Sequence, residues 1–390
     1  MSCSCQSKSI LNLLILLWVL ASTNSGCGWV PWVPLPRPPE LEKPRVLVGE
    51  GFWEKDLFYV CPGADLPCAD YVRDLRVQST GMEGPRVKAL FGPTIYTIDR
   101  TGAELGRFVS LAMTCYPRKF VDQGRDVLDV LCGFVSDDVG VISGHGQLLW
   151  REVGSWADGT EPIDAAIGDI NDDEIEDVCS THTGYIACYD KDGKELWRAG
   201  EGDVYWGVSI VAGSDRYPTE IVSTLQSPSG SGQIPYLEVR DAGGILIHRI
   251  QVDDFFGFQS VRWPPDAPEP TLVTQTGSGT ELQLRDLQGN VRFSFKPMMP
   301  KAFGGVDAAR VVYLGDDTSR EPYLVVLFSY YSRWQRTSLL VFSSSNELVY
   351  HEILAGRGWG LTDFDSGDHV AGRQGILVSV ELGRILLYRK

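Results

Sequence analysis

The sequence predicts an all-β chain, and three observations carry that expectation. No window after residue 40 shows a 3.6-residue apolar period over 11 or more residues. Short or alternating apolar runs bounded by Gly, Asp, Ser and Pro recur instead. Two independent turn patterns then repeat along the chain, which points to one repeated unit rather than to unrelated strands.

The first pattern is an Asp/Ser-x-x-Gly turn between apolar strands, ending at Gly102, Gly146, Gly193, Gly244, Gly289 and Asn346, so that successive ends lie 44, 47, 51, 45 and 57 residues apart. The second is an acidic or Pro-rich turn ahead of a short strand, near Asp122, Asp169, Ser214, Pro265, Asp316 and Asp365, with spacings of 47, 45, 51, 51 and 49. Each unit holds four short strands, as at 165–167, 177–180, 185–189 and 195–198. Four strands in 45 to 50 residues is the unit of a β-propeller blade. The expectation is a single propeller over 41–390 with seven four-stranded blades, six or eight being the nearest alternatives.

The first element in the chain is a targeting segment. Residues 1–9 carry one charge, Lys8, and lead into an apolar run from Ile10 to Ala21. A run of that length is too short to span a bilayer and suits a signal peptide. Two cleavage sites compete: after Ala21, or before Cys27 as in a lipoprotein. Cleavage after Ala21 leaves seven cysteines, an odd number, whereas lipidation of Cys27 leaves six that can all pair. The lipoprotein reading is preferred, with residues 1–26 removed. Loss of Lys8 takes the formal charge from −16 to −16 − 1 = −17. Residues 27–40 are rich in Pro and read as an extended tether. The chain is then exported and anchored to a bacterial cell-envelope membrane, at the outer membrane or cell surface; the alternative is a secreted soluble protein. Membrane contact runs through the lipid alone.

The blades follow. The last strand pattern, Arg384–Tyr388, has no fourth strand after it. An early strand, 45–48 or 57–60, can pair there and close the ring, leaving no long exposed edge. The cysteines are read as three local bridges: Cys61 with Cys68, Cys115 with Cys132, and Cys179 with Cys188. If Thr183-Gly184 forms a two-residue turn, the last pair faces across its hairpin at ~4.5 Å, which a disulfide can span. No Cys-x-x-Cys or His cluster suggests zinc.

One loop carries specific chemistry. Asp169, Asn171, Asp173 and Asp177 stand at positions 1, 3, 5 and 9, and the carbonyl of Ile175 adds an oxygen. Hard oxygen ligands at this spacing suit Ca²⁺. Asp363, Asp365 and Asp368 form a degenerate second copy. The first loop resembles the FG-GAP/VCBS repeat family of integrin-α-like blades, whose loops read Asp-x-Asp/Asn-x-Asp-Gly-x-x-Asp. The resemblance implies a seven-bladed propeller and a structural Ca²⁺ on these residues; Glu174 stands where the family has Gly. The hairpins, such as Gly184–Trp197, are also similar to PQQ-type propeller repeats, including those of outer-membrane-assembly lipoproteins.

Function is less legible. The acidic balance of 35 basic to 51 acidic residues argues against nucleic acid or an anionic surface. There is no nucleotide-binding loop, and PQQ is not expected. The histidines, at 145, 182, 248, 351 and 369, lie in no catalytic motif and are expected in loops or at the surface. Paired carboxylates at 137–138, 253–254 and 316–317 leave a lyase or hydrolase acting on carbohydrate as the alternative. Aromatics such as Trp206 and Trp359 are expected between blades. Tyr330, Tyr331, Arg333 and Trp334, in a loop of hot-spot composition, are the candidate contact site. The expectation is a Ca²⁺-stabilised binding or scaffold module for a protein or glycan at one propeller face.

Overall fold

The repeated turn builds each blade by capping itself. At Asp99, Ser143, Asp190, Asp241, Asp286 and Ser343 the side-chain oxygen accepts the amide four residues on, at 2.8 to 3.2 Å. The backbone amide of the same residue donates to the carbonyl four residues on. Asp and Ser recur there because a short side-chain oxygen satisfies amides that the turn leaves open.

The computed structural model describes residues 45–59 except 53, 72–79, 85–91, 94–99, 103–109, 115–134 except 126, 138–152, 164–182, 184–200, 202–226 except 214 and 215, 235–252, 258–276, 279–297, 304–315, 320–330, 335–365, 374–380 and 384–389. The chain divides between Glu42 and Lys43, and every described residue belongs to the second unit. Cys27, Cys61 and Cys68 lie outside the described residues. No helix among the described residues is long and apolar enough to cross a membrane.

Seven antiparallel sheets make a seven-bladed β-propeller. Blades 1 to 7 take residues 72–109, 115–152, 164–199, 204–251, 258–295, 304–355 and 358–389. In blades 1 to 6 the strands pair in chain order, and among the described residues blade 7 has three strands of its own. Middle strands bury both faces against neighbouring blades, so Asp177–Thr181 and Thr271–Gln275 are buried throughout, while the outer strand Leu246–Gln251 is almost wholly exposed. The apolar core is therefore seven separate layers, one at each seam between blades.

The N-terminal segment closes the ring. Glu54–Tyr59 pairs along its whole length with Arg384–Arg389 and becomes the fourth strand of blade 7. The other early strand, Arg45–Val48, adds to the outer strand of blade 6 as a fifth strand. Between them the chain turns through Gly49, with φ of 76°, and Phe52 packs on Tyr323 and Tyr350 at 5.9 and 6.0 Å. One segment thus bridges the last two blades. Its anchor is a buried carboxylate: Glu352, 1% exposed, pairs with Lys55 of the closing strand. The same carboxylate accepts the hydroxyls of Tyr350 at 2.7 Å and Tyr388 at 2.8 Å. Burial, with Glu352 alongside, pushes both phenols well above their ordinary range.

A second device joins blades at their rims. Trp150 of blade 2 lies on Gly193 in the turn of blade 3, and Trp197 of blade 3 lies on Gly244 in the turn of blade 4. A Cβ at either glycine would stand 2.5 or 2.6 Å from the indole, and both residues have positive φ, 76° and 83°. The Trp197 indole also donates to the Ala242 carbonyl at 2.9 Å.

Candidate functional site

A propeller's chemistry is set by what its innermost strands present, and here those strands are tied to each other. The Phe120 amide of blade 2 donates to Asp74 of blade 1 at 2.7 Å. Lys119 donates to the Ala165 carbonyl of blade 3 at 2.9 Å. The Val208 amide of blade 4 donates to Asp164 of blade 3 at 3.3 Å, and Ser260 of blade 5 meets Ser209 of blade 4 at 2.6 Å. Arg357, just ahead of blade 7, pairs with Asp307 of blade 6 at 2.7 Å, and Arg310 of blade 6 donates to Thr362 of blade 7 at 2.8 Å. Residues 74, 119, 164 and 209 are spaced by 45 each time. A polar residue recurring at that interval inside apolar strands is a signal that spacing alone makes legible. The ring's polar groups serve blade-to-blade bonding.

The acidic loop joins this structure at one further point. Glu176, at position 8 of the loop, pairs with Arg76 of blade 1 at 2.9 Å and accepts the Asp122 amide of blade 2 at 2.7 Å. It clasps three blades, a role the ligand spacing did not reveal.

Within the loop, Asp169 accepts the amides of Asp173 and Glu174 at 3.2 and 2.8 Å. Asn171 accepts the Asp173 amide at 3.1 Å, and Asp173 accepts the Ile175 amide at 3.0 Å. Asp172 and Glu174 adopt φ of 59° and 65°, so the left-handed turn forms on residues other than Gly. The cost is on the order of 1 kcal/mol for a side chain in this region. Asp177 is 1% exposed and accepts the Ile170 amide at 3.1 Å. Burial pushes its carboxyl up to about 6, the charges of Asp173, Asp169 and Asp190 add to the rise, and the Ile170 amide opposes it. Among the described residues no three Asp, Glu, His or Cys side chains lie close enough to hold a metal ion. The donor set is nevertheless of the hard-oxygen kind that divalent cations take. In the second loop, the backbones of Asp363 and Asp365 belong to the first strand of blade 7, Gly358–Asp365, and Asp368 lies outside the described residues.

Cys179 and Cys188 form a disulfide across their hairpin, directly paired at a Cα separation of 4.0 Å. The His182 amide donates to the Tyr185 carbonyl at 2.8 Å. Fixing a separation of nine residues removes unfolded-chain entropy worth about 2.5 kcal/mol. Cys132 is buried and disulfide-bonded, while the side chain of Cys115 lies outside what is described.

Several aromatic and titratable side chains stand elsewhere than expected. Tyr330 is buried and meets Phe328 edge to face at 5.2 Å, so it serves packing and offers no exposed contact. Tyr331, Arg333 and Trp334 lie outside the described residues. Trp206, expected between blades, is 51% exposed on the first strand of blade 4. His182 and His351 are fully buried, not at the surface: His182 stacks on Tyr185 at 4.3 Å, and His351 bonds Ser338 at 3.0 Å. Burial lowers His351 to about 4, which keeps it neutral at pH 7. Of the paired carboxylates, Asp138 is fully buried against Arg151; Asp137, Asp253, Asp254, Asp316 and Asp317 lie outside the described residues.

No protein-family model matches this sequence, and no curated protein is significantly similar to it. Among solved structures, BBS1N in its complex with ARL6DN is 11% identical, covering 86% of this chain and 96% of its own, with a TM-score of 0.57. Raptor of Chaetomium thermophilum is 10% identical, covering 86% of this chain and 28% of its own, with a TM-score of 0.52. The likeness is one of fold.

Proposed function

We propose that this propeller is an exported binding scaffold, anchored through Cys27, that engages a protein partner at one face, and that its acidic loop takes a structural Ca²⁺. The observation that carries the binding reading is Trp206. Its neighbours along the inner strands spend their polar groups on blade-to-blade bonds, while the indole stays half exposed. A large rigid aromatic left in solvent is the residue type that anchors protein contacts. The fold-level likeness to BBS1N, solved with ARL6DN bound, is in keeping with that use of a propeller.

The test is a photo-reactive phenylalanine at position 206 in the full chain, irradiated in cells. A single cross-linked protein, lost on competition with untagged wild type, is the expected result. Trp206→Ala should lower partner retention at least tenfold while leaving the melting temperature within a degree. An unaltered retention sinks the proposal, and captured glycan without protein redirects it to the carbohydrate alternative.

For the loop, Asp169, Asn171, Asp173, Asp177 and the Ile175 carbonyl would hold the ion, relieving the charge crowded on buried Asp177. At Ca²⁺ one hundred times its dissociation constant, binding to the folded state alone adds about 2.7 kcal/mol. A melt of the full chain in EDTA and then in millimolar Ca²⁺ should rise by several degrees, and Asp173→Ala should abolish the rise. Equal melting temperatures in wild type with and without Ca²⁺ reduce the loop to a self-capped turn.

A further inference from the structure

Blades 1 and 2 do not close fully at their seam. A cleft of about 210 Å³ opens between them, lined on one side by Lys88, Ile95, Thr97, Gly106, Phe108 and Arg107, the last paired with Glu104 at 3.5 Å, and on the other by residues that include Phe120 and Leu128. Blade pairing explains the gap: Lys88, Thr97 and Gly106 stand side by side across three strands, Pro85–Phe91, Thr94–Ile98 and Glu104–Val109. Gly106 supplies no side chain to fill the row, and a Cβ built there meets nothing within 4 Å. The walls are largely apolar, from Ile95, Phe108, Phe120 and Leu128 in one packed layer.

Into this cleft the sequence places a lysine. Lys88 donates to the Thr97 hydroxyl at 2.8 Å, and no described carboxylate lies within ion-pair distance of it. Other cations of this chain, Arg76, Arg151, Arg240 and Lys55, each pair with a largely buried or half-buried acid, whereas Lys119, like Lys88, bonds a neutral oxygen. A half-buried ammonium beside an apolar cavity, bonded among the described residues to a hydroxyl, can serve as the counter-charge of an anion. Burial, and Arg86 two residues away on the same strand, lower the Lys88 pKa, so an anion arriving there meets a poorly solvated cation.

We propose that the cleft between blades 1 and 2 binds a small monocarboxylate with an apolar body, its carboxylate on Lys88 and its body against Phe108, Ile95 and Leu128. Size limits the ligand. A dry cavity of ~150 Å³ accepts benzene, so this one accepts a body of about eight heavy atoms. Small apolar acids of the aryl-acetate or medium-chain fatty type meet both conditions.

The experiment uses the full chain, with phenylacetate and its neutral isostere phenylacetamide as probes and calorimetric titration as the readout. Phenylacetate should bind at least tenfold more tightly than phenylacetamide. Lys88→Gln should erase that difference while leaving phenylacetamide binding unchanged, and Gly106→Leu should abolish both by filling the cavity. The proposal is overturned if wild type binds neither probe, if both bind equally, or if Lys88→Gln retains the preference. Should Gly106→Leu unfold, as its melt would show, the Lys88→Gln comparison still decides.

Discussion

Replacing Glu352 with alanine is expected to destabilise the protein by about 3–5 kcal/mol, the cost of breaking a buried ion pair from one side. The substitution strands Lys55 and the hydroxyls of Tyr350 and Tyr388, all of which converge on this carboxylate. Because Lys55 lies in the closing strand, the damage should be local first: trypsin should cut within 45–59 well before it cuts the blades. Denaturant unfolding and timed proteolysis together read this. Lys55→Met combined with Glu352→Gln should cost clearly less than the two single changes added, since each single change leaves a partner unpaired and the pair does not. Additive costs would show that the closing strand is held by its backbone pairing alone.

The second large effect lies at the rim. Gly193→Ala and Gly244→Ala each add a Cβ to a left-handed residue, at 2.5 and 2.6 Å from Trp150 and Trp197. The backbone conformation costs ~1 kcal/mol and the overpacking ~1–3 kcal/mol more. Gly51→Ala and Gly202→Ala supply the comparison, because these glycines have φ of 84° and 89° with nothing within 4 Å. They should lose about 1 kcal/mol only. Thermal melts of the four variants separate backbone strain from contact with the indole. Equal losses across all four would show that the tryptophans yield and that the seam contributes little. A larger loss at Gly244 than at Gly193 is further expected, because the Trp197 indole is also fixed by its bond to the Ala242 carbonyl and cannot swing away.

These two devices differ in how far the sequence announced them. The turn glycines stood in plain view as the end of a repeated motif, and the tryptophans follow each turn by four residues, at Trp150 and Trp197. Their mutual contact was hidden, since Trp150 meets a glycine 43 residues on, in the next blade. The Glu352 anchor was less legible still. Glu352 and Lys55 are 297 residues apart, and no local pattern marks either as buried. Glu176 is hidden for a related reason: within its loop it is one acid among several, and only the neighbouring blades show it bonded to Arg76 and the Asp122 amide.

What the sequence determined by itself is everything that repeats locally. The all-β class, the four-stranded unit, the six self-capped turns and the Cys179–Cys188 hairpin follow from spacing and turn chemistry, because each depends on residues within a few positions of each other. The need for an N-terminal strand to complete blade 7 followed as well, from a count that came up one strand short. The tertiary structure decided which early strand took which edge, which side chains clasp blade to blade, and which aromatic stays outside. Tyr330 is buried and Trp206 exposed for the same reason. A strand's two faces are covered by neighbouring blades whose positions no local window contains, so burial in a propeller is set by the ring and not by the strand.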